Sequence, residues 1–162
     1  MDVYEHKKIN KNNLFQLMDV TAKKSQIEGN NLLKGDILFT PSSETPEDIG
    51  HSVAVFEDLD KVVYSYHVLR FRPNIELDIL FSHYFCNNNL VRNQIVRFAI
   101  GSTRFTVNIK DFSEVIVEIP DKKEQIKIGN FLSTFDNKIE KEKEKLEQFK
   151  ELKKGLLQKM FI

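Results

Sequence analysis

The alternation of apolar and polar positions divides this chain at Pro120, and the part before it consists of short apolar segments. GDILFT, beginning at residue 35, is a brief apolar run opened by a glycine. HSVAVFED at 51–58 and KVVYSYHVLRFRP at 61–73 alternate in the way that half-buried strands do. The acidic EDLDK between these two segments predicts that they form a hairpin.

Helical spacing is found at 77–97, where apolar residues recur three and four positions apart. The three asparagines at 87–89 predict a break into two helices. Alternation predicts two further strands, FTVNIK at 105–110 and SEVIVEIP at 113–120. Residues 13–31 have no clear period and predict a short strand or turn followed by a loop.

After Pro120 the pattern changes to that of one long helix. Asp121 is a suitable N-cap, and Glu124 follows it at the spacing of a capping box. Apolar residues then recur alternately four and three positions apart and fill eight of ten positions of a coiled-coil seam, interrupted by Glu142 and Lys153. The eight are Ile128, Leu132, Phe135, Ile139, Leu146, Phe149, Leu156 and Met160.

About forty residues at about 1.5 Å each make a helix of roughly 60 Å. Because a body of 120 residues is too small to bury such a stripe over its full length, the seam predicts a second helix as its partner. The alternative is a long amphipathic helix folded back on its own domain. The fold class predicted is α+β: a mixed or antiparallel sheet with short helices over 1–120, then a long dimerising coiled-coil helix over 121–162.

Composition agrees with one packed domain and an appendage. Of the 162 residues, 41% are hydrophobic and 13 are Phe. No apolar run approaches the roughly 18 residues of a membrane span, and the first ten residues lack the apolar core of a signal peptide. The single cysteine, Cys86, excludes an internal disulfide and favours a reducing cytoplasm. Such a residue is more often a small core side chain than a nucleophile.

The net charge is zero, so the chain as a whole has no basic surplus of the kind that coats DNA. From residue 121 onward there are 11 basic and 8 acidic side chains, which leaves 13 basic and 16 acidic ones of the 24 of each in the body. All five arginines nevertheless lie between residues 70 and 104. A guanidinium is a two-pronged donor suited to phosphate or to a guanine edge. The alternative is that these are ordinary surface and ion-pair arginines.

No catalytic motif is present in the sequence. There is no glycine-rich dinucleotide fingerprint and no phosphate-binding loop with its lysine. Ser43 and His51 are close in sequence, but the glycines of a nucleophile elbow are missing. The four histidines have no companion at metal-ligand spacing: His6, His51, His67 and His83. The sequence therefore predicts a binding or assembly protein, not an enzyme, with no metal and no cofactor of its own.

Two stretches carry a resemblance to a known family. Both resemble parts of the specificity (S) subunits of type I restriction-modification enzymes. The target recognition domain of these subunits is similar to LKGDILFTPSSETPEDIGHS followed by VYSYHVLRFRP. The end of that domain and the long helix after it are similar to the stretch from AIGSTRF through IPDKKEQIKIGNFL to LLQKMF. The resemblance covers residues 32–162. A full S subunit has two such domains and two helices, and its domain usually opens with a tryptophan-bearing segment, whereas this chain has one of each and no Trp. The chain is therefore a half-subunit, a truncated product or a fragment, and its recognition domain is expected to be incomplete at the N-terminus.

The resemblance implies a non-catalytic DNA-binding protein. In this family each recognition domain reads one half of a split double-stranded target, and the helices set the distance between the halves. Modification and restriction subunits bind to it and supply the chemistry with S-adenosylmethionine and ATP. Two copies of a half-subunit that paired their helices would read a palindromic, interrupted site, because protein symmetry is mirrored in the DNA.

The resemblance also directs attention to the polar residues of the body as DNA contacts. Gly101 would allow a tight turn from which two hydroxyls donate to phosphates and Arg104 forks onto a phosphate or a guanine. The alternative for Arg104 is an ion pair with an acid such as Asp111. The predicted contacts are Ser42, Ser43, Thr45, Tyr64, Tyr66, Arg70, Arg92, Ser102, Thr103 and Arg104.

Each group of predicted contacts has a structural alternative. TPSSETP is either a DNA-facing loop or a turn held by its prolines. One face of the predicted strand carries Tyr64, Tyr66, Arg70 and Arg72. This face is either a polar contact surface, or its tyrosines are half-buried. For the whole chain, the alternative function is a coiled-coil interaction module or a regulator of a restriction system without DNA specificity of its own.

Overall fold

The computed structural model of the protein describes residues 8–161, except for the side chains of residues 15 and 16. His6 therefore lies outside the described residues. The chain forms two compact units, one ending at Gly129 and the other beginning at Asn130. The first unit contains every strand of the described chain, and the second is helical.

The described residues form five strands and five α-helices, and four of the strands precede α2. The strands are β1 (Ile37–Phe39), β2 (Ser42–Ser43), β3 (Ser52–Ala54), β4 (Leu69–Phe71) and β5 (Phe105–Thr106). The helices are α1 (Lys24–Gly29), α2 (Ile79–Phe85), α3 (Asn89–Arg97), α4 (Ile109–Phe112) and α5 (Lys122–Met160), with 3₁₀ turns at Lys11–Gln16 and Pro46–Asp48. This architecture confirms the predicted α+β fold class with short helices and a long C-terminal helix.

Two antiparallel sheets organise the first unit. The larger has the order β3-β1-β4, and the smaller pairs β2 with β5. Phe39 of β1 lies opposite Ser52 on one side and Leu69 on the other. In the smaller sheet Ser42 is opposite Thr106, and Ser43 is opposite Phe105.

The three-stranded sheet separates two apolar clusters, because successive residues of a strand point to opposite faces. Leu38 faces a cluster that also contains Ile9, Leu32, Val53, Val55, Leu59 and Val68. Ile37 and Phe39 face a second cluster formed with α2 and α3, which contains Ile49, Cys86, Val91, Ile95 and Val107. The fully buried Ile37, Val53 and Ile95 show that the core lies on both faces of this small sheet.

The predicted hairpin between 51–58 and 61–73 is wrong. Strands β3 and β4 do not pair with each other, since each pairs with an edge of β1. Only Leu69–Phe71 of the second segment is a strand, and the preceding residues form a turn closed by the Val68 amide donating to the Ser65 carbonyl at 3.0 Å. Alternation indicates which residues are buried, but it does not identify the neighbouring strand.

The strand predicted over 105–110 ends at Thr106. Asn108 then caps α4, because its side-chain oxygen accepts a hydrogen bond from the Asp111 amide at 2.9 Å. The strand predicted over 113–120 is also wrong, since none of these residues has a strand partner in the described chain. Residues 13–31 contain part of a 3₁₀ turn and α1, and no strand.

The break predicted at the three asparagines is confirmed. Asn88 caps α3 by accepting from the Val91 amide at 3.0 Å. The neighbouring Asn87 exchanges two hydrogen bonds with the backbone of Ser52, at 2.9 Å and 2.8 Å. The break between α2 and α3 is therefore also where they are tied to β3.

Helix α5 begins as predicted, with Asp121 Oδ1 accepting from the amides of Lys123 at 2.8 Å and Glu124 at 3.0 Å. Its first two turns belong to the first unit. Buried Gln125 accepts from the Asp78 amide at 2.8 Å. At Gly129, one turn further on, a Cβ atom would lie only 2.8 Å from Leu80 Cβ. The missing side chain therefore lets the start of α5 approach the start of α2 closely.

The second unit continues α5 to Met160. Six of the eight predicted seam residues are exposed on this helix, from 48% at Phe135 to 73% at Met160. Ion pairs three residues apart, such as Glu142 with Lys145 at 2.6 Å, lie along its surface. No helix in the described part of the chain is long and apolar enough to cross a membrane.

Candidate nucleic-acid interface

The antiparallel register brings two segments of the chain to one end of the larger sheet, and the pairing of β2 with β5 adds a third. Phe39, Ser52 and Leu69 lie side by side there, so the loop after β1, the loop before β3 and the turn before β4 meet at this end. The first two are one segment, 40–51, which contains β2. Because β2 pairs with β5, the turn 101–104 before β5 joins them. We call this the loop end of the sheet.

The turn 101–104 is closed by two backbone hydrogen bonds between Ile100 and Thr106, at 3.0 Å and 2.9 Å. Gly101 has a φ of +155°, and a Cβ at this position would lie 2.1 Å from the carbonyl oxygen of Arg104. Only glycine fits such a close approach. The expected tight turn at Gly101 is therefore present.

Arg104 reaches across to the other predicted loop. Its Nη2 donates to Ser42 Oγ at 3.1 Å, although the two residues are 62 positions apart in sequence. Asp111, the alternative partner, instead accepts a hydrogen bond from the side-chain amide of Asn108. Arg104 and its two hydroxyl neighbours, Ser102 and Thr103, are exposed. The guanidinium and the hydroxyls are thus accessible to a ligand.

The rest of the loop 40–51 is held from within the protein. Thr45 donates its hydroxyl to Asp48 at 2.7 Å. Arg92 of α3 donates to the carbonyl oxygen of Glu47, and its Nη2 lies 3.3 Å from His51 Nε2. Arg92 therefore holds the loop in place by contacts to two of its residues, while Thr45 remains exposed.

The turn before β4 presents an aromatic pair. Tyr66 is 87% exposed, and its ring packs on that of His67 with centroids 3.9 Å apart. His67 is a neighbour that the sequence did not single out as a DNA contact. In the sequence, only the position of His67 in SYHV, residues 65–68, could have pointed to this role. That segment is recognised as a turn only once β4 is known to begin at Leu69.

Tyr64 and Arg70 do not share a strand face with Tyr66, because β4 begins after both tyrosines. Arg70 Nη1 donates to the backbone oxygen of Asn31 at 2.7 Å and to its side-chain oxygen at 3.1 Å. Its guanidinium also lies over the Tyr64 ring, 5.2 Å from the centroid. Both side chains are half-buried, so this pair makes internal contacts.

Arg72, the residue that follows β4, makes a bidentate ion pair inside the first unit. Its Nε and Nη2 each donate to one carboxylate oxygen of Asp36 at 2.7 Å. Asp36 is only 1% exposed, and its Oδ2 also accepts from the Leu33 amide at 2.8 Å. The hydrogen-bonded carboxylate raises the pKa of Arg72. No pattern in the sequence predicted Asp36 as the partner of this arginine.

Other candidate chemistry in the described chain is limited. No group of three or more His, Cys, Asp or Glu side chains within residues 8–161 could hold a metal ion. Cys86 is buried, and burial raises the pKa of its thiol to about 12. The thiol is therefore protonated at neutral pH and packs as a small apolar side chain.

Comparison with known proteins identifies the family. The family described as "Type I restriction modification DNA specificity domain" matches residues 3–151. The chain belongs to this family.

A solved structure supports the fold. The crystal structure of a type I restriction-modification system S subunit from M. genitalium is similar to this chain, with a TM-score of 0.51 and 21% sequence identity. The similarity covers 74% of this chain and 36% of that chain, so this chain spans about a third of the length of its solved relative. No curated protein matches the chain.

Proposed function

We propose that this chain reads one half of a split double-stranded DNA target as the specificity component of a type I restriction-modification enzyme. The observation that carries the proposal is the turn 101–104, which is held against β2 and leaves Arg104 exposed at the loop end. Ser102, Thr103 and Ser43 have hydroxyls suited to phosphate, and Arg104 has the fork that recognises guanine. Tyr66 and His67 add an exposed aromatic surface on a neighbouring turn.

The other predicted contacts have different roles in this proposal. Ser42 and Arg92 position the binding loops, because both are engaged with other residues of the loop end. Thr45 is exposed and remains a predicted contact. Tyr64 and Arg70 are engaged with each other and with Asn31, so they stabilise the fold next to the interface.

The chain carries no catalytic step in this proposal. Modification and restriction subunits bind to it in the cytoplasm and supply the methyl transfer and the cleavage. Residues 121–162 act as the dimerising helix, and the support for this is the exposed apolar seam from Phe135 to Met160. A stripe of this length in water is stabilised by burial against a second helix. The two-fold dimer would place two loop ends on a palindromic, interrupted site.

Selection of duplexes from a random pool tests the DNA-binding function. The full chain, alone and with a modification subunit, is expected to enrich a bipartite sequence, and its affinity should fall steeply as salt rises. Retention of no duplex at low salt, even with the modification subunit present, would refute it. The chain would then be an interaction module or regulator without DNA specificity of its own.

Dimerisation is tested by placing charges in the seam. Changing Ile139 and Leu146 together to Asp is expected to give a monomer by light scattering, because two carboxylates would face an apolar partner. Changing Lys141 and Gln148 to Asp is the matched control, since these positions have the same spacing but face away from the seam. A dimer that survives the seam substitutions would argue against this interface.

A further inference from the structure

Residues 115–119 have the side-chain alternation of a strand but no strand partner in the described chain. Val115, Val117 and Ile119 line an apolar cavity on one side. Ile116 and Glu118, between them, are exposed on the other side. Val117 lines the cavity and is also 42% exposed. The alternation is that of an extended chain with an apolar face and a solvent face.

One edge of this segment is already occupied. The side-chain amide of Gln94 donates to the Ile116 carbonyl at 2.9 Å, and its oxygen accepts from the Ile116 amide at 3.0 Å. In an extended chain the backbone groups of neighbouring residues point to opposite edges. Those of Val117 and Ile119 therefore point away from Gln94, and within residues 8–161 they make no hydrogen bond. This open edge resembles the edge strand of a sheet.

The cavity beside the segment has a volume of about 190 Å³. It is lined on its other sides by apolar residues that include Phe39, Phe85 and Ile95, and by Phe71 and Ile75, each more than half exposed. An apolar cavity of about 150 Å³ holds a benzene molecule. The volume is therefore sufficient for one large apolar side chain.

A strand paired along the open edge would place such a side chain in the cavity, because directly opposed residues of two strands project to the same face. The residue opposite Val117 would enter it. The solvent face of the segment carries Ile116 and the acidic Glu118; Glu114 and Asp121 flank the segment, and residues 113–121 contain no lysine or arginine. Residues of the added strand beside Glu118 would therefore be basic.

We propose that residues 115–119 are a docking edge for an extended segment of another protein, which adds to them as an antiparallel strand. The segment has a large apolar side chain opposite Val117 and basic side chains on its outer face. Backbone hydrogen bonds supply the affinity, and the cavity and Glu118 supply the specificity. This site is distinct from the loop end and does not depend on DNA binding.

A synthetic peptide tests the proposal on the full chain. The probe is Lys-Val-Arg-Phe-Ile-Val-Lys, whose phenylalanine lies opposite Val117 and whose arginine lies opposite Glu118 in an antiparallel pair. It is expected to bind in titration calorimetry and to slow hydrogen exchange at the amides of Val117 and Ile119. Methylating the phenylalanine nitrogen leaves the side chains and charge unchanged but removes one donor, so binding should weaken about tenfold.

Charge reversal provides a second measurement. Glu118→Lys should weaken peptide binding several-fold, since it places a like charge beside the arginine. Glu28→Lys, an exposed reversal on α1, should leave binding unchanged. The proposal is overturned if the unmethylated peptide does not bind at millimolar concentration or if the methylated peptide binds equally well. It is also overturned if the two amides become protected as the protein alone is concentrated, because the occupant is then a second copy.

Discussion

The two ends of the central three-stranded sheet both carry arginines, but their surroundings differ. At the end where β1 begins, Arg72 donates two hydrogen bonds of 2.7 Å to the buried carboxylate of Asp36. At the loop end, Arg104 is exposed and has a single described partner, the hydroxyl of Ser42 at 3.1 Å. A guanidinium with a buried acceptor in reach stabilises the fold, whereas one held only by a hydroxyl remains accessible to a ligand.

Four substitutions test this difference, and the free energy of unfolding from urea titration is the common measure. They are ordered from the largest expected loss of stability to the smallest. Arg72→Ala, the first, is expected to change stability most and DNA binding least. Arg104→Ala, the last, is expected to change stability least and DNA binding most.

Arg72→Ala is expected to destabilise the protein by about 3–5 kcal/mol, because it leaves the Asp36 carboxylate buried with only the Leu33 amide as a partner. Adding Asp36→Asn to this variant should restore part of the loss, since no charge is then buried. A loss below about 1 kcal/mol would show that the ion pair contributes little.

Gly101→Ala is expected to cost about 2 kcal/mol, because the turn would carry a side chain at a φ of +155° against the Arg104 carbonyl. Gly155→Ala is the matched control. Gly155 lies in α5, and a Cβ there meets no atom within 4 Å, so alanine should stabilise the helix by about 1 kcal/mol. Equal effects at the two positions would contradict the turn geometry.

Arg70→Ala should destabilise by about 1–2 kcal/mol through loss of its bonds to Asn31 and its contact with the Tyr64 ring. Arg97→Ala, at an exposed position on α3, is the control and should change stability by less than about 0.5 kcal/mol. If instead Arg70→Ala leaves stability unchanged and abolishes DNA binding, Arg70 belongs to the interface.

Arg104→Ala should change stability by less than about 0.5 kcal/mol, since the side chain is exposed. Its effect should appear in DNA binding, which we expect to weaken by about 1–3 kcal/mol if the guanidinium reads a base. Binding to the selected duplex and to a variant with one changed base pair measures both affinity and preference. Unchanged values for both would remove Arg104 from the proposed interface.

Features with local causes were predicted from the sequence. The long helix follows from Asp121 and a seam that is apolar at eight of ten positions, and the break between α2 and α3 follows from Asn88, whose side chain caps the next helix within three residues. The sheet was predicted less well. The alternation of 51–58 and 61–73 showed burial correctly at Val53, but both strands pair with β1, which lies earlier in the chain.

The candidate site shows the same division. Glycine at 101 and the polar residues of both loops were visible in the sequence, and so was the concentration of arginines between 70 and 104. Which arginines are accessible was not visible. Arg72 faces Asp36 from 36 positions away, and Arg92 supports a loop 45 positions away, so their roles depend on pairings that no local pattern specifies.

The sequence by itself determined the family, the α+β class, the long helix with its seam and the glycine turn, because caps, periodicity and glycine act within a few residues of the chain. Only the tertiary structure decided which strands pair, which arginines are accessible and which extended segment lacks a strand partner. These outcomes depend on hydrogen bonds and burial between segments that lie tens of residues apart, and the register of β1 brings those segments together.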